Sequence, residues 1–226
     1  MKVDLPFRDR TSAGALLGEA IAAWLAGAPG PAGTDPSTVV VLGFPRGGVV
    51  VAAAAAAVLG ARLDVLVAHK IGAPGNPEFA IGAVTADGTT LVAPWARRET
   101  GLSAESVRAL AEDEIRIARD REGRLRAGLP PPTLHGRTVI LVDDGLATGA
   151  TVQAAVLAAR ALGAARIAVA APVASSEAVA LLEPLADAVV VLAVSRGFHA
   201  VGQWYLIFDQ VSDVEVRRLL AGPPAP

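Results

Sequence analysis

The chain contains no cysteine. That rules out disulfides, thiolate catalysis and cysteine-built metal sites. Its histidines, His69, His135 and His199, lie too far apart to form an HxxxH pair, so no zinc site is expected and each reads as a surface or loop histidine. Charge of neither sign dominates. The net charge is −2 with an isoelectric point near 5.9, and without a basic stripe nucleic acid is not an expected partner. Long apolar runs are missing as well. The longest uncharged apolar tract, Gly47–Ala61, falls short of the ~18–20 residues that a membrane helix needs. The opening MKVDLPFRDRT is charged and carries no signal-peptide core. The expectation is a soluble, cytoplasmic protein with neither nucleic acid nor membrane as partner.

What is present is apolar and small. Hydrophobic residues make up 53% of the 226 positions, mostly alanine and valine, enough for the core of one α/β domain with an elaboration, or of one domain plus a small cap. Ala15–Ala26 is expected as an amphipathic helix, with Leu16, Ile21, Trp24 and Leu25 facing inward. Thr38–Phe44 reads as a strand buried on both faces. The turn PRGG and a small-residue helix over Val49–Leu59 follow. Leu63–His69 reads as a second buried strand and KIGAPGNPE as a loop. AIGAV and TTLVA form a hairpin around ADG. Leu102–Arg126 is a long charged helix with a solvated face. Glu112–Arg116, Asp120–Arg124 and Glu122–Arg126 are its favourable i,i+4 pairs.

Beyond it come a strand at Arg137–Asp143, a helix at Gly149–Leu162, the strand RIAVAAPV, a helix at Ser176–Leu185 and the strand DAVVVLAV. An aromatic stretch, FHAVGQWYLIF, precedes a short C-terminal helix opened by Ser212 and Glu215. This alternation implies a doubly wound, mostly parallel sheet with right-handed crossovers. Ligands of such sheets bind at the carboxyl ends of strands. Three loops fall there: PRGG, HKIGAPGNPE and DDGLATGAT.

DDGLATGAT combines two chemistries. Ala147, Thr148, Gly149, Ala150 and Thr151 lead into a helix, whose free amides and dipole suit a phosphate monoester. No GxxxxGK is present, so this is not an ATP-type phosphate loop. Asp143 and Asp144 are poor phosphate ligands, but they suit the vicinal hydroxyls of a ribose. The two halves together fit a sugar phosphate. In PRGG, Arg46 is a fixed cation, and Gly47 and Gly48 let amides face an anion.

Val139–Thr151 resembles the PRPP-binding signature of type I phosphoribosyltransferases, and the order of elements agrees from Thr38 to about Phe208. The resemblance is best to uncharacterised bacterial phosphoribosyltransferase-like proteins. It implies the type I phosphoribosyltransferase fold in a single domain over residues 1–226. The core would span about 38–195, with a small hood from the N-terminal and 196–226 segments and a lid and helical insertion at about 71–130. It implies a PRPP-dependent glycosyltransferase of nucleotide metabolism that moves 5-phosphoribosyl to a nitrogenous base and releases pyrophosphate. The alternative is a non-catalytic PRPP- or nucleotide-binding regulator of the same fold.

The resemblance makes Asp143 and Asp144 the catalytic pair. It assigns substrate binding to Arg46, Gly47, Gly48, Lys70, Ala147, Thr148, Gly149, Ala150 and Thr151. Mg2+ would be held mainly by PRPP oxygens rather than by a protein metal site, and a homodimer is expected. A cis peptide is expected in the PRGG loop. Glu78 lies in the lid, where assisting the base is the less favoured of its readings, and Phe198, Trp204 and Tyr205 would stack on the base, Trp204 being better placed for packing. Phe7, Arg8 and Arg10 could also reach the hood by position and charge, with the surface the favoured place for Arg8 and Arg10. Enzymes for 6-oxopurines commonly carry an aspartate where this chain has Ala147, which counts against hypoxanthine and guanine as acceptors.

Overall fold

The computed structural model describes residues 3–27, 35–92, 96 and 100–222. Five parallel strands form the main sheet: β1 (Val39–Gly43), β2 (Arg62–Val65), β6 (Thr138–Val142), β7 (Arg166–Ser175) and β8 (Ala188–Ser195), in the order β2-β1-β6-β7-β8. Every residue of β1 and β6 is buried, as expected for β-branched runs covered on both sides. On one side lie α1 (Arg10–Ala26) and α2 (Gly47–Leu59). On the other lie α4 (Ala150–Ala161) and α5 (Ser176–Leu182).

The small residues of α1 and α2 have a packing role. A Cβ on Gly14 would lie 2.5 Å from the Val51 carbonyl, and one on Gly18 would lie 2.8 Å from the Val58 Cβ. The two helices therefore approach backbone to backbone, and Ala52, Ala55 and Ala56 fill the layer beneath. Leu17, Ile21 and Leu25 are buried as an inward stripe, while Leu16 and Trp24 are half-buried.

The run from Leu63 to His69 is not one strand. It breaks after Val65, and β3 (Ala68–Ala73) starts a second, antiparallel sheet with β4 (Asn76–Thr85) and β5 (Thr90–Val92), in the order β3-β4-β5. Leu66 and Val67 are buried across the break, so hydrophobicity alone does not reveal it. Much of KIGAPGNPE is strand rather than loop, with the turn at Gly75 in the left-handed region. The hairpin around ADG forms as expected.

This small sheet lies between α4 and the long helix α3 (Ala104–Arg126). Ile71, Ile81 and Val84 pack with Ala111 of α3, and Leu110 and Ile115 close the edges. The polar side of α3 is less solvated than its charge suggests. Arg119 donates to the Ala86 carbonyl at 2.7 Å, and Arg121 donates to the Pro45 carbonyl at 3.1 Å. Arg126 is buried. The Glu122–Arg126 pair forms, whereas Arg116 takes Asp113 at i,i+3. The last helix, α6 (Asp213–Leu220), is capped by Ser212, which accepts from the Glu215 amide. No helix among the described residues is long and apolar enough to cross a membrane.

Candidate active site

Parallel pairing of β1 with β6 sets Gly43 opposite Val142. The segments that follow, Phe44–Gly48 and Asp143–Gly149, therefore leave the sheet side by side at its carboxyl edge. They touch where only glycine fits. A Cβ on Gly47 would run into the Asp144 carboxylate, and one on Gly48 would lie 2.8 Å from Oδ1 of Asp143. Arg46 precedes α2, and the Pro45–Arg46 peptide is cis, as expected for this loop.

Helix capping separates this edge from the rest of the molecule. Helices α1, α3, α5 and α6 are each capped by a side chain, those of Asp9, Ser103, Ser175 and Ser212. Helices α2 and α4 are not: Arg46 and Gly149 stand at their N-cap positions without a side-chain cap bond. These two helices open at the candidate site, where such uncapped starts can receive an anion. Gly149 sits at φ 74, left-handed, and a Cβ there would press on Ala178 and Leu182 at 3.4 Å. Ala147, Thr148 and Thr151 are exposed at the mouth.

The loop is pinned from below. The Leu146 amide donates to the Val173 carbonyl at 2.9 Å, and the Ser175 amide returns a bond to Leu146 at 2.8 Å. Ser175 Oγ donates to the Ala147 carbonyl at 2.6 Å while accepting from the Ala178 amide. One hydroxyl thus caps α5 and holds the loop.

The two aspartates differ. The Asp143 carboxyl accepts the Asp144 amide at 2.9 Å. Burial pushes its pKa well above the usual carboxylate range, and the Asp144 charge adds to the rise, while Arg10 opposes it. Asp144 is clamped. Arg10 Nε donates to its Oδ2 at 2.8 Å, and the Tyr205 hydroxyl donates to its backbone carbonyl at 2.5 Å. Burial raises the Tyr205 pKa, and Asp144 raises it further.

Arg10 is thus no surface residue, in contrast with the expectation from sequence; Arg8 is. Local spacing gave no sign of Ser175 or Arg121, nor of the bonds that Arg10 and Tyr205 make to Asp144. One signal existed for Arg10. It is a cation in the first turn of a helix that has no acid there, against the helix dipole.

The aromatic segment is built around the same clamp. Phe7 bridges to Tyr205 in parallel, and the rings of Phe7 and Tyr205 lie 5.8 Å apart. Tyr205 stacks on Phe208 at 5.2 Å, and the Arg10 guanidinium lies 3.8 Å over the Phe208 ring. Phe198 stacks on Trp204 at 6.1 Å. These rings pack on one another. Tyr205 is buried, and Trp204 and Phe198 are half-buried.

Lys70 lies on β3, not in a loop. Strand alternation turns it to the face opposite His69. His69 is no loop residue either: its Nδ1 lies 3.1 Å from Glu114 on α3. His135 and His199 are exposed. Glu78 falls in β4, where its side chain lies outside the described residues.

A family model described as "Phosphoribosyl transferase domain" matches residues 13–205. Two curated sequences from strains of Mycobacterium tuberculosis, each named "Putative phosphoribosyl transferase", are 45% identical over 178 residues. The match covers 79% of this chain and 40% of each relative, so the chain spans well under half their length. The crystal structure of TT1426 from Thermus thermophilus is 45% identical, with a TM-score of 0.85 over 95% of this chain and 97% of that one. The AQ2163 protein from Aquifex aeolicus shares the fold at 14% identity, with a TM-score of 0.50 over 96% of this chain and 87% of that one.

Proposed function

The chain belongs to the phosphoribosyl transferase domain family, and on that premise we propose that it transfers the 5-phosphoribosyl group of PRPP to a nitrogenous acceptor, releasing pyrophosphate. The observation that carries this reading is the seating of Gly47 and Gly48 against Asp143 and Asp144. It joins a cation-bearing glycine loop and an acidic pair, far apart in sequence, beside two uncapped helix starts.

In this reading the first-turn amides of α4, with Thr148 and Thr151, hold the 5′-phosphate. Asp143 and Asp144 accept hydrogen bonds from the ribose hydroxyls. Arg46, the start of α2 and Lys70 face the diphosphate. The C1–O bond breaks, the diphosphate leaves with the electron pair, and an acceptor nitrogen forms the new bond to C1. Positive charge develops on the sugar ring, and the nearby carboxylates stabilise it.

Mg2+ enters as the counter-ion of PRPP. Among the described residues no group of three or more His, Asp or Glu side chains could hold a metal. Asp143 and Asp144 would hold the cation through water, while PRPP oxygens serve as its direct ligands. When bound, it neutralises charge on the leaving group.

Ala147 is exposed and carries no carboxylate, which supports an acceptor other than a 6-oxopurine. The test is a panel of bases and related amines incubated with PRPP and Mg2+, following pyrophosphate release. Release with one acceptor class is the expected result. Tight PRPP binding without release for any acceptor would favour the regulator, and absence of PRPP binding would overturn both.

A further inference from the structure

We propose that Arg10 is a positioning residue of this site, which fixes the Asp144 carboxylate so that its other oxygen meets a hydroxyl of the bound sugar. The inference rests on the phosphoribosyl reading and adds a residue that no loop motif contains.

The geometry starts at the helix. Asp9 caps α1, accepting from the Ser12 amide at 2.8 Å, and Ser12 Oγ accepts from the Asp9 amide in return. This reciprocal box fixes where α1 begins, and so fixes Arg10 as its first residue. A cation there opposes the helix dipole. Its compensation is Asp144.

The guanidinium meets three partners at once: Oδ2 of Asp144 at 2.8 Å, the Asp209 carbonyl at 2.8 Å and the Phe208 ring at 3.8 Å. Only 11% of the Arg10 side chain and 16% of the Asp144 side chain are exposed, so this is not a solvated pair of little worth. With the Tyr205 hydroxyl on its backbone carbonyl, Asp144 is held at both ends and Oδ1 is left outside the clamp. Arg10 also places positive charge beside two carboxylates that would otherwise repel each other. It need not touch the ligand; it acts through Asp144.

The test separates the sugar hydroxyls from the phosphate. Binding of ribose 5-phosphate, 2-deoxyribose 5-phosphate and inorganic phosphate is measured by calorimetry on the wild-type chain, Arg10→Gln and Arg10→Lys. The wild type is expected to prefer ribose over deoxyribose about tenfold, the worth of one charged hydrogen bond. Arg10→Gln should bring that ratio towards one while inorganic phosphate binds as before. Arg10→Lys, which keeps the charge but reaches fewer partners, should retain part of the preference. An unchanged ratio in both variants would overturn the proposal. So would an equal loss for all three ligands, the mark of a merely structural role. A wild-type chain indifferent to the hydroxyl would overturn the sugar-phosphate reading itself, and the inference with it.

Discussion

Two arginine–aspartate pairs in this molecule make opposite use of the same chemistry. Arg126 and Asp64 are both buried, and each is tied to further protein groups. Arg126 also donates to the Val65 carbonyl at 2.8 Å and to Glu122 at 2.8 Å. Asp64 also accepts from the Val65 amide at 2.7 Å and from Arg62 at 3.3 Å. This pair locks α3 onto β2. Arg10 and Asp144 share a single bond, next to a second carboxyl whose pKa is pushed up by burial and by the Asp144 charge. The first pair is closed on itself and the second is open. A saturated network serves the fold, whereas an incompletely saturated one at a strand end is poised for a ligand.

The sharpest break of this comparison is chemical. Replacing both acids, Asp143→Asn with Asp144→Asn, is expected to lower PRPP-dependent pyrophosphate release by about 10⁴-fold or more. Circular dichroism should show the fold retained. Unchanged turnover would remove the acidic pair from the mechanism. At the closed pair the effect is on folding. Arg126→Met leaves Asp64 buried without its cation and should cost about 3–5 kcal/mol in urea unfolding. Arg126→Met combined with Asp64→Leu should recover much of that, because two apolar residues replace two charges.

A smaller effect tests the uncapped start of α4. Gly149→Ala forces a Cβ into a left-handed position against Ala178 and should cost about 1–2 kcal/mol. Its binding of inorganic phosphate should weaken as well. The smallest effect has the opposite sign. The folded pKa of Asp143 lies above its unfolded value, so folding loses stability as pH rises from the unfolded carboxylate range through that raised pKa. Asp143→Asn keeps an acceptor for the Asp144 amide and removes the penalty. Its melting temperature should exceed that of the wild type at pH 7–8 and converge with it near pH 3. A lower melting temperature at neutral pH would contradict this account.

The parallel sheet was legible because its strands are continuous runs such as TVVVLGF and RTVILVD, each followed by glycine and a small-residue helix. The two loops of the site were legible for the same reason: residue type and position coincide at strand ends. The switch of sheets at Leu66–Val67 was not. Buried residues on both sides of a break look the same as a buried strand. The docking of α3 was hidden because Arg119, Arg121 and Arg126 are engaged by backbone carbonyls and by Asp64, contacts that no spacing rule reports. The aromatic segment suggested stacking on a base, yet its rings mainly stack on each other and on Arg10. The clamp on Asp144 joins residues 134 positions apart in sequence, and only the folded chain brings them together.

The bridge between Phe7 and Tyr205, with Arg10 held by Asp209 beside it, has a practical consequence for anyone cutting this protein down. Trimmed to the matched span, residues 13–205, it would keep both glycine loops, both aspartates and the whole parallel sheet. It would lose Phe7, Arg10, Phe208 and Asp209. A fragment drawn by motif would look complete on paper and leave Asp144 without its arginine. An inactive trimmed protein would then say nothing against the function of the intact one.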